Sequence, residues 1–73
     1  MIEDTTKKVK DLTINDFKRL LEELHNKYNF EYDFLYAIYD ELYSLYKDNL
    51  TVYDVIMMCQ ELVLNSLTNG NEI

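Results

Sequence analysis

Phe30-Glu31-Tyr32-Asp33-Phe34-Leu35-Tyr36-Ala37-Ile38-Tyr39-Asp40-Glu41-Leu42-Tyr43-Ser44-Leu45-Tyr46-Lys47 is the stretch on which the fold turns. Leu35, Ile38, Leu42 and Leu45 recur at spacings of three, four and three, which is one stripe of an α-helix. Tyr32, Tyr36, Tyr39, Tyr43 and Tyr46 form a second stripe beside it, and Tyr28 extends that line backwards. An ordinary surface helix hides an apolar arc of about 100°. Here the two stripes together cover roughly half of the circumference or more, counted at ~100° per residue. Asp33, Asp40, Glu41 and the following Asp48, with Ala37 and Ser44 between them, make the remaining face acidic. The middle helix of a small bundle needs a broad apolar face, and that need absorbs part of the excess. It does not absorb a whole line of tyrosines, because each buried phenol hydroxyl requires a hydrogen-bond partner.

Two helix starts lie outside this stretch. Leu12-Thr13-Ile14-Asn15-Asp16-Phe17 sets a threonine at the N-cap and an acid three residues later. Leu50-Thr51-Val52-Tyr53-Asp54-Val55 repeats the layout. In both, the hydroxyl is placed to accept from a free backbone N–H, and the flanking leucine is placed to staple onto Phe17 or Val55. A first helix then runs from about Ile14 to about Lys27, with Phe17, Leu20, Leu21, Leu24 and Tyr28 on its inner side. A second occupies about residues 30–47, and a third about 52–67. Asn26 and Asn29 mark the first break, and Asn69 or Gly70 the final stop. The third helix carries Val52, Val55, Ile56, Cys59, Leu62 and Val63 inward, with Tyr53, Met57 and Leu64 on a line beside them. The expectation is an all-α three-helix bundle, with one continuous helix through residue 28 as the variant. It forms a single domain over residues 1–73, with residues 1–11 and 69–73 as flexible tails.

The chain has no proline and a single glycine, too little punctuation for a β-protein. One cysteine and one histidine allow neither an intrachain disulfide nor a zinc framework. No phosphate loop, nucleophile elbow or Cys–His pairing is present. Glu22 and His25 share the Glu-x-x-His step of di-iron bundles, but Glu22 belongs to the polar side and the further carboxylates are missing. Asp48-Asn49 is a fragment of a calcium loop without the rest. No catalytic residue, metal site or cofactor is expected, and the protein is not read as an enzyme.

Net charge is −7. Residues 1–27 balance six acids against six bases, whereas residues 28–73 set eight acids against Lys47 alone. Such a surface repels nucleic acid and membranes and steers toward basic partners. Lysine outnumbers arginine six to one, tyrosine and asparagine occur seven times each, and alanine once. That bias is typical of AT-rich bacterial and phage genomes. The expected role is a small acidic binding protein in a bacterial cytoplasm, an inhibitor or adaptor of phage or mobile-element type such as an anti-CRISPR. Its partner is a protein, of the kind exemplified by a nucleic-acid enzyme with a basic groove. The expected contact residues are Tyr32, Asp33, Tyr36, Tyr39, Asp40, Tyr43, Tyr46, Tyr53 and Met57. The alternative is a structural or regulatory homodimer, such as an assembly helper or an antitoxin-like subunit, using the same lines.

Overall fold

The computed structural model describes residues 4–71, with side chains through residue 66. Three α-helices pack against one another: α1 (Ile14–Tyr28), α2 (Tyr32–Tyr46) and α3 (Val52–Asn71). Short 3-10 turns at Val9–Asp11 and Lys47–Asn49 precede α1 and α3. Among the described residues there is no strand, only an isolated antiparallel bridge between Lys8 and Thr51. Among the described residues no helix is long and apolar enough to cross a membrane.

The core is aliphatic. Leu20, Leu21 and Leu24 of α1, Leu35, Ile38 and Leu42 of α2, and Val52, Val55 and Cys59 of α3 close on one another with Val9 and Leu50. No polar or charged residue is fully buried among the described residues. Burying a leucine contributes about 1.5–3 kcal/mol, so these few contacts carry most of the stability.

The break between α1 and α2 is real. Asn29 adopts a left-handed conformation (φ 60°, ψ 26°) and donates its N–H to the His25 carbonyl. Asparagine tolerates this region better than any residue but glycine. The joint is then clasped by His25, whose Nδ1 lies 2.7 Å from the Phe30 carbonyl oxygen. Tyr32 stacks on the same imidazole, with ring centroids 4.5 Å apart. Helix α2 begins at Tyr32 rather than Phe30 because the connection consumes Phe30 and Glu31. Phe30 packs half-buried on the core, and Glu31 is the extended N-cap.

Leu45 departs from its expected stripe: it is 67 % exposed. The helix ends one residue later, at Tyr46, and Lys47 caps it in an unusual conformation (φ 53°, ψ −132°). Lys47 holds a backbone conformation that costs a non-glycine residue about 1–3 kcal/mol.

The two threonine caps are unequal. Thr13 accepts from the Asp16 N–H at 3.1 Å. Thr51 accepts from the Asp54 N–H at 3.2 Å, and Asp54 Oδ2 accepts in return from the Thr51 N–H (3.1 Å) and hydroxyl (3.0 Å). The second is a complete reciprocal box.

Residues 4–11 are not a loose tail. Val9 is buried and donates to the Leu50 carbonyl at 2.8 Å. The Lys7 carbonyl accepts from Val52 N–H (3.0 Å) and the Thr5 carbonyl from Tyr53 N–H (2.8 Å). The first N–H groups of any helix lack partners within it. Here a strap of preceding chain supplies them. At the strap's start, Asp4 accepts from the Thr6 hydroxyl (2.6 Å) and N–H (3.0 Å), bonds that hold its carboxyl below the ordinary aspartate value. At the other end, α3 continues to Asn71, through the expected stop at Asn69 and Gly70. Residues 1–3 and 72–73 of the expected tails lie outside the described residues.

Candidate functional site

The tyrosines expected on one surface fall on three. Tyr32, Tyr36, Tyr39 and Tyr43 run along the seam between α1 and α2. Tyr32 lies on His25 at one end. Phe17 of α1 sits edge-on to Tyr39 at 5.2 Å and tilted to Tyr36 at 6.4 Å. Tyr39 in turn meets Tyr43 at 6.0 Å. Tilted and edge-on arrangements are the ones aromatic quadrupoles favour. Tyr32, Tyr36 and Tyr43 are 42–47 % exposed, whereas Tyr39 is half-buried and anchors the line to α1.

Beyond Tyr39 the strip opens into a hollow of about 230 Å³ walled by Val9, Leu12, Thr13, Ile14, Phe17 and Tyr39. Ile14, at its rim, is 76 % exposed. Sequence reasoning missed Ile14 and this hollow. Ile14 reads as an ordinary first-turn residue, and Val9 and Leu12 reach the site only because the strap folds back. The signal available was a large aliphatic residue directly after a helix cap, three residues before Phe17 and seven before Leu21, at the edge of their stripe.

At ~100° per residue, Asp40 and Asp33 follow directly on the solvent side of the Tyr32–Tyr43–Tyr36 row. Both are exposed. Helix α2 contains three acids and no cation. The arrangement is a band of rings with an acidic margin.

Tyr46 and Met57 lie elsewhere. With Leu42, Asp54, Met58 and Glu61 they line a crevice of about 100 Å³ between α2 and α3. Tyr53, 52 % exposed, stands on the outward side of α3. Tyr28, which continues the tyrosine line in sequence, turns inward. It packs on the core, stacks loosely on Phe30 at 5.9 Å and lies under the Lys27 ammonium at 5.4 Å. Its hydroxyl is buried with no hydrogen-bond partner.

The remaining chemistry is quiet. Cys59 is fully buried, and burial pushes its thiol up to about 11. A thiol held protonated in this way is a poor nucleophile. His25 is occupied at the α1–α2 joint, and the neighbouring Glu22 is exposed. Among the described residues no group of His, Cys, Asp and Glu side chains is placed to hold a metal ion.

Fold and surface together define a small all-α bundle whose distinguishing feature is a solvent-facing aromatic band. Comparison with known protein families, characterised proteins and solved structures found no match, so the functional reading rests on this geometry alone.

Proposed function

We propose that the chain is a non-catalytic binding protein, an inhibitor or adaptor, that lays the α1–α2 aromatic strip on a basic surface of a protein partner. The observation that carries this reading is the exposure of Tyr32, Tyr36 and Tyr43 beside a core that Leu35, Ile38 and Leu42 already close. Such rings offer large contact area at low entropic cost and are enriched where proteins meet. The acidic margin of Asp33 and Asp40, with a net charge of −7, favours encounter with a cationic surface. Flat rings beside spaced carboxylates imitate the bases and phosphates of a nucleic acid. The partner that fits is therefore a nucleic-acid enzyme with a basic groove. An inhibitor of the anti-CRISPR kind, carried by a phage or mobile element and acting in a bacterial cytoplasm, has this size and charge.

Capture of bacterial proteins on the immobilised chain, at low and high salt, tests the reading. The captured species should be a nucleic-acid-binding protein, should be released by salt and should be displaced by competing oligonucleotide. Tyr36→Ser with Tyr43→Ser, or Asp33→Asn with Asp40→Asn, should abolish capture while leaving helicity intact. Salt-insensitive capture, or capture indifferent to both pairs of substitutions, would refute it.

A further inference from the structure

The outward side of α3 differs from the strip in charge. Tyr53, Met57 and Leu64 form one line, with Gln60 beside it and Ile56 and Val63 on the edge toward α1, counted at ~100° per residue. None of these six residues carries a charge. Tyr53 and Leu64 are 52 % and 61 % exposed, and the other four are half-buried. Ile56 is also one wall of a hollow of about 420 Å³ between α1 and α3, whose apolar lining is completed by Leu20, Leu24 and Tyr28. The charged residues lining it, Glu23 and Lys27, offset each other.

We propose that a second copy of this chain covers this face, the two α3 helices packing antiparallel about a two-fold axis. Three observations select this occupant. The first is charge. Pairing two α2 faces would set Asp33, Asp40 and Glu41 against their own kind. The residues at the centre of two α3 faces, Tyr53, Met57, Gln60 and Leu64, carry no charge, and Asp54 and Glu61 stand only at the rim.

The second is self-complementarity. The register that sets Tyr53 of one copy against Leu64 of the other also sets Met57 against Gln60, and the two-fold axis repeats both pairs, as an isologous interface requires. In that register Gln60 and Val63 of the second copy come over the hollow beside Ile56. That matters for size, because a stable interface buries about 800 Å² per partner, more than one line of side chains supplies.

The third is the strap. Exposed Lys7 and Lys8 lie beside the start of α3, where the Lys7 carbonyl caps Val52. Antiparallel packing brings over them the C-terminal end of the other α3, the negative pole of its helix dipole. The α1–α2 strip stays outside this contact, so the inference stands or falls independently of the proposed function. A dimer would display two strips, with the gain in avidity that bivalence gives.

Sedimentation equilibrium across the micromolar range tests it. The wild-type chain should pass from 8.8 kDa toward twice that mass as concentration rises. Leu64→Glu buries a carboxylate against Tyr53 of the other copy and should weaken the dimer about tenfold or more. Its circular dichroism should not change, since the side chain is already exposed. Tyr53→Ser, which adds no charge, should weaken it in the same direction. Tyr36→Glu, on the strip, should leave the dimer intact. A wild-type chain that stays monomeric throughout would overturn the proposal. So would a Leu64→Glu dimer as tight as the wild type, or loss of the dimer in Tyr36→Glu.

Discussion

Replacing Asp16 and Asp54 by alanine, one at a time, perturbs two positions that the sequence presents as twins. Each stands three residues after a capping threonine in a Leu-Thr-x-x-Asp stretch. The structure separates them. Asp54 Oδ2 accepts both the N–H and the hydroxyl of Thr51, in a half-buried position beside the strap. Bonds to an ionised group contribute about 1.5–3 kcal/mol, and a lost cap costs about 1 kcal/mol. Its removal also strands the Thr51 N–H, so Asp54→Ala should cost about 2 kcal/mol. Asp16 gives its own N–H to Thr13, a bond that alanine keeps. What its carboxylate contributes there is favourable placement at the positive end of a helix dipole, about 0.5 kcal/mol. The difference of about 1.5 kcal/mol corresponds to a gap of roughly 6–12 °C in Tm for a domain of this size. Thermal and urea unfolding followed by far-ultraviolet circular dichroism measure it directly. Equal losses in the two variants, or a larger loss in Asp16→Ala, would refute the view that only the second cap is reciprocal.

Three further outcomes are expected. Tyr28→Phe removes a buried hydroxyl without a partner and should raise stability by about 1 kcal/mol in urea titrations, where loss of a bonded hydroxyl would lower it. Lys47→Gly relieves a positive φ of 53° and should likewise gain roughly 1 kcal/mol, read from the same titrations. Cys59 should resist thiol-specific reagents at mildly alkaline pH in the folded protein and react promptly in denaturant. Its folded thiol keeps its proton to about 11, while the unfolded chain releases it near 9.0, so its contribution to stability is complete below pH 9 and disappears as pH climbs toward 11.

Local chemistry made much of the molecule legible. Helix starts at Thr13 and Thr51, the leucine stripe of α2 and the break at Asn29 all follow from interactions spanning a few residues, which the order of residue types encodes directly. So does the presence of more tyrosine than a core can take. What tertiary structure alone decided is which way each tyrosine faces and what reaches it. Tyr28 turns inward, Tyr39 is pinned by Phe17, and Tyr46 closes a crevice with α3, although all three share one periodic line with Tyr36 and Tyr43. Periodicity fixes angles around a helix axis, but burial depends on where the neighbouring helices lie, and Leu45 shows the same limit from the apolar side. The strap was hidden for a different reason. Residues 4–11 cap α3 mainly through the backbone carbonyls of Thr5 and Lys7, groups that every residue carries. Only Val9, a single apolar side chain among polar ones, hinted that this segment packs.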